Sequence, residues 1–276
     1  MKNRIRLVSA IVMSFLILMF SLGEYALAES KGDPSKMSIS EKTIDVNGTK
    51  IVMVEIPAGE FLMGSAVPGY IKHEYPQHKV IISKPFYLGK YEVTQTQWMK
   101  VMGSNPSFFK RKRTEGPRPV EDVCWNDVQE FITKLNAMTG QKFRLPTEAE
   151  WEYACRAGST TRYFFGDDMD GIDEYAWYMD NSDYRSHPVG LKKPNSFGLY
   201  DIIGNVWEWC SDYYGKNYYS VSPETDPKGP GSGKYRVIRG GGWHWPGMGL
   251  RSSHRYYHAP TYKYANTGLR LALDKN

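Results

Sequence analysis

Hydrophobic and polar residues alternate early in the chain in short runs that are typical of β-strands. The alternating sequence over 51–57 predicts one strand, and residues 59–64, bounded by glycines, predict a second. Residues 78–82 and 86–88 predict a third and a fourth strand. The folded domain is therefore expected to open with short strands.

Helices are predicted where capping residues precede apolar residues at helical spacing. Thr94 and Gln97 form a capping box that opens a short helix. Apolar residues on one helical face predict a longer helix over 125–137. A second capping box, made by Thr147 and Glu150, opens a third helix.

Residues 158–235 are punctuated by Gly, Asn, Asp and Pro, which favours loops with short strands. Composition supports this view, because 14% of the chain is Phe, Trp or Tyr and it also contains 26 Gly and 16 Pro. Intrinsic disorder is excluded, since disordered chains contain few aromatic residues. We expect a single α+β domain with many loops, held together by large rings.

The first 28 residues are expected to be a signal peptide. Basic residues precede an apolar run over 7–22, and residues 26–28 have the small-x-small pattern at which such peptides are cut. A run of about 16 residues is short for a membrane span, which needs about 20. A retained membrane anchor is the alternative, but no stable anchor is expected after cleavage.

An exported chain would be periplasmic or secreted. Residues 29–48 are polar and are predicted to be a flexible leader, so the folded domain is expected over 49–276. The formal charge is only +5 at pH 7 and falls when the basic start is removed. Nucleic acid is therefore not expected as a partner.

Cys124, Cys155 and Cys210 are the three cysteines of the chain. In an oxidising compartment an odd number of cysteines allows at most one bridge within the chain. Their spacing leaves the pairing open, and a bridge between Cys155 and Cys210 is favoured. The chain has no CxxC spacing, which argues against a structural zinc site.

Seven motifs follow one another from about residue 50 to residue 273. They are MVEIPAGEFLMGS from Met53, EVT from Glu92, RLPTEAEWE from Arg144, NSFGLYD from Asn195, GNVWEW from Gly204, RGG from Arg239 and GLR from Gly268. In this order they resemble the formylglycine-generating enzyme family, also called the sulfatase-modifying factor family. The resemblance implies an irregular C-type-lectin-like variant of the α+β class, with little regular secondary structure in a single domain.

The family's best-known activity oxidises a cysteine of sulfatases to formylglycine, with oxygen and with copper held by two cysteines. Those cysteines shortly follow the Arg-Gly-Gly motif, but residues 242–251 contain none and no cysteine follows Cys210. Thiolates are the ligands that suit Cu(I). Gly242 also replaces the family's usual serine. Copper and formylglycine formation by the known mechanism are therefore not expected, and no catalytic residue is assigned.

A structural calcium ion is the cofactor that the resemblance implies. It makes Asp201 and Glu208 side-chain ligands, and it makes Gly204 and Val206 ligands through their carbonyl oxygens. Calcium takes such oxygen ligands from curved loops, and a glycine permits the curvature. The alternative interpretation of this segment is a helix cap and a solvated acidic side chain, without a bound metal ion.

Other charged segments are less informative. A second calcium site of the family would need a ligand where this chain has Trp177. The acidic run over 167–174 does not form an EF-hand, because Gly166 stands at its first ligand position. The basic run over 110–113 predicts a solvated patch or a contact with an anionic surface.

The family builds its active-site cleft from the region around and after Arg239. Amphipathic rings with Arg and His suit a peptide, a protein or a small-molecule ligand. For Trp243 we favour core packing, and a metal role for the two histidines among the candidates stays open because imidazole suits copper and iron. The cleft candidates are Trp207, His244, Trp245, Arg251, His254 and Arg255.

Three functions follow from the sequence. The first is an exported, calcium-stabilised binding or accessory protein without the copper chemistry. The second is a periplasmic oxidoreductase that acts on a peptide or siderophore precursor without the cysteines, as similar proteins are implicated in siderophore maturation. The third is a ligand-display variable protein of a diversity-generating retroelement, with variable Tyr and His positions over 254–266.

Overall fold

The computed structural model describes residues 40–66, 72–110 and 116–275, so the predicted signal peptide, 1–28, lies outside the described residues. Within them no helix has the length and apolar character needed to cross a bilayer. The first sheet has five antiparallel strands in the order β1-β2-β5-β11-β6. These strands are β1 (Glu41–Val46), β2 (Thr49–Ile56), β5 (Phe86–Gly89), β6 (Phe143–Arg144) and β11 (Ala272–Asp274).

Two smaller sheets complete the β-structure of the described residues. One is the antiparallel pair of β3 (Gly59–Met63) and β4 (His78–Ile82). The other has the order β10-β7-β8-β9, in which only the pair of β10 and β7 is parallel. Its strands are β7 (Trp207–Tyr213), β8 (Arg236–Arg239), β9 (Arg255–His258) and β10 (Thr267–Gly268).

The predicted strands and helices of the first half are confirmed. The helices are α1 (Gln95–Met102), α2 (Trp125–Thr139) and α3 (Glu148–Arg156). Both predicted capping boxes form, because Thr94 and Thr147 accept a backbone N–H while the side chain three residues later returns a bond. These interactions span only three residues, which is why the sequence alone places the helix starts correctly.

The predicted leader over 29–48 is wrong at its end, because residues 41–46 form β1, and the domain boundary lies before residue 49. Five of the six residues of β1 are exposed or half-exposed, and only Val46 is buried. A polar edge strand therefore looks like a leader. Asn47 and Gly48 both have positive φ angles, 49° and 79°, and join β1 to β2 in the turn that an Asn-Gly pair favours.

The core of the described residues consists of two clusters. One joins α3, β3 and β4 to the loops that follow α3. The other packs α1 and α2 on the first sheet and on β7, where Trp98 and Phe131 stack at 4.7 Å between ring centroids. Residues 157–206 contain only one helical turn, Ile172–Glu174, and aromatic rings such as Phe165 and Tyr175, stacked at 4.7 Å, help to hold them. The prediction of a loop-rich fold held by rings is confirmed.

Cys124, Cys155 and Cys210 are all buried as free thiols, so the favoured bridge between Cys155 and Cys210 is wrong. Both side chains are completely buried in the first core cluster, where they pack as small apolar groups. Burial raises the pKa of Cys155 to about 12 and raises that of Cys210 well above its ordinary value. The thiols are therefore uncharged and shielded.

Thiol titration tests this arrangement. The folded protein is expected to react slowly or not at all with a thiol reagent, because buried, protonated thiols are poor nucleophiles. After unfolding in guanidinium chloride without reductant, all three cysteines should react. A single reactive thiol after unfolding would instead show that one pair had been bridged.

Candidate ligand surface and metal loop

Buried ion pairs fasten α3 to the strands that carry the candidate site. Glu148 and Glu152 lie four residues apart and so share one face of the helix. Arg255 of β9 donates from Nε and Nη2 to the two oxygens of Glu148, at 2.7 and 2.6 Å. Arg239 of β8 pairs with Glu152, which also accepts from Nε of Arg156 at 2.9 Å. These five side chains are buried, so β8 and β9 are fixed against α3.

A further buried pair fixes the segment that precedes β9. Arg251 donates to both oxygens of Glu74, at 2.6 and 2.8 Å, and Ser253 donates to the same carboxylate at 2.8 Å. The guanidinium groups of Arg251 and Arg255, expected to face a ligand, are therefore paired with carboxylates within the fold, and Arg251 also lines a cavity of about 360 Å³. Their partners lie 177 and 107 residues away in the sequence, where no local pattern could reveal them.

Trp207 and His254 are also interior residues, each with 2% of its surface exposed. Their ring centroids are 5.5 Å apart, and burial lowers the pKa of His254 to about 3, so its imidazole is neutral. The packing role expected for Trp243 is confirmed, since the ring is buried and its Nε1 donates to the carbonyl of Ala265 at 2.9 Å. These residues form the floor of the site.

A continuous group of exposed and half-exposed rings covers this floor, and we call it the aromatic surface. Ring centroids of Trp245 and Tyr256 are 5.9 Å apart, and those of His258 and Tyr262 are 4.1 Å apart. Burial lowers the pKa of both histidines in the group, so the surface is uncharged at neutral pH. Its members are His244, Trp245, Tyr256, His258, Tyr262 and Tyr264.

The loop that carries Phe108 and Phe109 borders this surface. Phe109 meets the floor at Trp243, with 5.4 Å between ring centroids. Its backbone N–H and that of Phe108 donate to the buried carboxylate of Glu121, at 2.8 and 3.0 Å. Burial raises the pKa of Glu121 to about 7, although both N–H bonds oppose this shift. Of the predicted basic run over 110–113, only Lys110 belongs to the described residues.

The predicted metal loop is curved as the calcium hypothesis requires. Gly204 has φ +81°, and a Cβ at this position would stand 2.5 Å from the carbonyl oxygen of Trp177. Asp201 is buried, and its Oδ2 accepts from the N–H of Gly190 at 2.7 Å. Its Oδ1 is buried without a hydrogen-bond partner. An unpartnered carboxylate oxygen of this kind fits a cation.

Glu208 is already engaged within the fold. It accepts from Nε of Arg270 at 2.9 Å and from Nε1 of Trp151 at 2.7 Å. A calcium ion would therefore have to share this carboxylate with Arg270. Glu92, which sequence reasoning missed although it stands in a quoted motif, accepts from the side chain of Asn205 at 2.7 Å.

The metal loop contains more buried acidic than basic side chains. Burial raises the pKa of Glu92 well above its ordinary value, and the charges of Asp201 and Glu208 raise it further. Arg270 is the counter-charge that lowers it. Three buried acidic groups face Arg270, and Lys192 is a second positive charge that acts on Asp201. A bound cation would favour the ionised form of these carboxyl groups, so the donor set fits calcium.

Among the described residues, no three His, Cys, Asp or Glu side chains are arranged to hold a metal ion. The metal role considered for His244 and His254 therefore gains no support. The predicted calcium loop is of another kind, because half of its donors are the carbonyl oxygens of Gly204 and Val206.

Comparison with known proteins identifies the family. Residues 41–275 match the sulfatase-modifying factor enzyme 1-like domain. The chain belongs to this family. It is 31% identical to a formylglycine-generating enzyme of Streptomyces coelicolor, over 80% of this chain and 88% of that protein. It is also 34% identical to a serine/threonine-protein kinase pkn1 of Chlamydia pneumoniae, over 81% of this chain but only 38% of that protein.

Solved structures confirm the C-type-lectin-like variant of the family fold. Treponema denticola variable protein 1 superposes with a TM-score of 0.78 at 32% identity, over 85% of this chain and 99% of that one. PvdO from Pseudomonas aeruginosa superposes with a TM-score of 0.74 at 31% identity, over 85% of this chain and 98% of that one. Family membership and fold, as the motifs predicted, are thus shown.

The buried position of Glu121 has a consequence for stability. Its pKa is about 7 in the folded chain and near 4.5 when unfolded, so folding favours its protonated form between these values. The free energy of unfolding of the wild type, relative to Glu121→Gln, should therefore fall by about 3 kcal/mol between pH 5 and pH 8, at about 1.4 kcal/mol per pKa unit. Denaturant titrations at several pH values measure this difference.

Glu60→Gln is a suitable control, because Glu60 is exposed. Its difference from the wild type should change little over the same pH range. If the difference in the free energy of unfolding between the wild type and Glu121→Gln did not change with pH, the prediction would be wrong. Ionisation of Glu121 would then not destabilise the folded chain.

Proposed function

We propose that this protein is an exported, calcium-stabilised binding or accessory protein that retains the family fold without the copper chemistry. The observation that carries the proposal is the aromatic surface, an uncharged group of rings exposed on a rigid support. The absence of any cysteine after Cys210 removes the thiolate pair that the family's oxidation reaction requires.

Buried supporting residues flank the exposed rings along one segment. Arg255 and Asn266 are buried, whereas Tyr256, Tyr262 and Tyr264 are 37–45% exposed. Tyrosine offers a large amphipathic contact area at a low cost in side-chain entropy, which makes it common in binding surfaces. A ligand could therefore bind the rings without disturbing the ion pairs beneath them.

A bound calcium ion would also stabilise the floor of the aromatic surface. In the proposal it is held by the side chains of Asp201 and Glu208 and by the carbonyl oxygens of Gly204 and Val206. Trp207, part of the floor, lies between Val206 and Glu208 in the sequence. Neutralising the carboxylate charge of the loop would thus stabilise the floor as well as the loop.

A ligand-display variable protein is the second candidate. The similarity to Treponema denticola variable protein 1 and the exposed Tyr residues over 254–266 favour it. Adenine-rich codons at these Tyr and His positions, with a template repeat nearby in the genome, would support it. Without such codons and such a repeat, the candidate is removed.

Metal analysis and chelation test the calcium assignment. We expect one calcium ion per chain, and we expect a chelator to lower the melting temperature by about 5 °C or more, because a ligand that binds only the folded state stabilises it. Asp201→Ala should abolish the response to chelator. Asp180→Asn, which changes an exposed acid, should preserve it.

A melting temperature that does not respond to chelator would remove the calcium assignment. Stoichiometric copper or iron in protein purified from its own compartment would favour the oxidoreductase alternative instead.

Formylglycine formation tests the loss of the family's chemistry. With copper and oxygen supplied, a cysteine-containing sulfatase peptide should stay unmodified in the presence of this protein, because no thiolate pair holds the metal. Mass spectrometry of the peptide measures the outcome, and the Streptomyces coelicolor enzyme serves as positive control. Conversion of the peptide cysteine would contradict the proposal.

A further inference from the structure

A polar cavity of about 360 Å³ is lined by three arginines, Arg156, Arg162 and Arg251. None of its lining residues belongs to the aromatic surface or to the metal loop. The lining contains no aromatic and no large aliphatic side chain, and the remaining side chains are mostly hydroxyl, amide or carboxylate groups. Small-molecule pockets are usually lined by apolar side chains, so this lining suits a charged ligand.

Arg251 is buried and held in one orientation, yet it keeps donors in reserve. Its Nη1 and Nη2 donate to Glu74 at 2.6 and 2.8 Å, and its Nε donates to the carbonyl of Met248 at 3.1 Å. A guanidinium carries five N–H groups. Two N–H groups of Arg251 therefore have no partner within the described part of the chain.

Arg156 is likewise buried and fixed. It donates to Glu152 at 2.9 Å, to the carbonyl of Thr161 at 3.1 Å and to the carbonyl of Gly64 at 3.0 Å. Glu152 also pairs with Arg239, so one carboxylate faces two guanidinium groups. The charge of Arg156 is therefore only partly neutralised within the fold.

Arg162 stands at the exposed side of the cavity. Its backbone is fixed, because its N–H donates to Asp167 at 2.9 Å and its carbonyl accepts from the N–H of Ser252 at 3.0 Å. Its guanidinium has neither a carboxylate nor a hydrogen-bond partner among residues 40–66, 72–110 and 116–275. A charged group on a fixed backbone is thus available to a ligand.

The charges around the cavity leave a positive excess. The three arginines of the lining and Arg239 behind them give four guanidinium groups, whereas Glu74, Glu152 and Asp167 give three carboxylates. Burial, together with the charges of four basic residues, lowers the pKa of the neighbouring His73 to about 4. An anion would complete the charge balance here.

We infer that this cavity binds a small organic anion through a carboxylate or phosphate group, which accepts from Arg162 and from the two remaining N–H groups of Arg251. Planar guanidinium groups suit both kinds of oxyanion, since they donate two parallel N–H bonds. The volume of the cavity lies at the low end of the range for small-molecule sites, about 300–1,000 Å³, so the ligand is a small metabolite. This site is additional to the proposed function and shares no residue with it.

Calorimetric titration of the purified protein with inorganic phosphate and with succinate, at constant low ionic strength, tests the site. We expect one anion per chain with a Kd of about 1 mM or lower for at least one of the two. The tighter anion identifies the group that is recognised. Arg162→Gln should weaken binding about tenfold, and Arg162→Lys should restore most of it. Asp167→Asn, which keeps the acceptor for the N–H of Arg162, should tighten binding because it removes a negative charge.

Lys100→Gln is the matched control, because Lys100 is an exposed basic residue of α1 outside the cavity, and it should leave the Kd unchanged. Equal weakening by Lys100→Gln and Arg162→Gln would reveal a response to net charge alone and overturn the inference. Binding that Arg162→Gln does not weaken, or no saturable binding of either anion, would overturn it as well. Tyr264→Ala should bind the anion as the wild type does, so failure of the aromatic surface and failure of this site are distinguishable.

Discussion

Pairing between buried carboxylates and buried arginines is the constraint on which the rest of the structure depends. Glu148 and Glu152 offer two carboxylates on one face of α3, and Arg239 and Arg255 meet them from neighbouring strands. Removing one member of such a pair leaves an uncompensated buried charge, at a cost of about 3–5 kcal/mol. The loops of this domain have few backbone ladders of their own, so these pairs fix where β8 and β9 stand.

The same pairing separates the supporting residues from the exposed ones. Arg251, His254 and Arg255 point into the fold, while Tyr256 and Tyr264 are exposed. The buried residues are charged or polar and the exposed ones are aromatic, which inverts the usual division. A surface of this kind can change its exposed rings with little effect on folding, because the interactions that hold the segment lie beneath it.

Charge balance also links the metal loop to the aromatic surface. Glu208 is paired with Arg270, but Asp201 keeps one buried oxygen without a partner and Glu92 adds a third carboxylate. Trp207 precedes Glu208 on β7 and lies under Trp245, with 5.4 Å between ring centroids. A group that neutralised the loop would therefore lie next to the floor of the aromatic surface.

The sequence by itself determined the features that depend on residues close together in the chain. These are the four strands over 51–88, the helices with caps such as Thr147, and the family motifs. The lack of a cysteine after Cys210, which excludes the copper pair, was also readable from it. Only the tertiary structure decided that Arg251 and Arg255 support the site, that residues 41–46 pair as an edge strand, and that the cysteines stay free. Caps act over three or four residues, whereas ion pairs and burial join residues more than 100 positions apart. Packing alone brings such residues together.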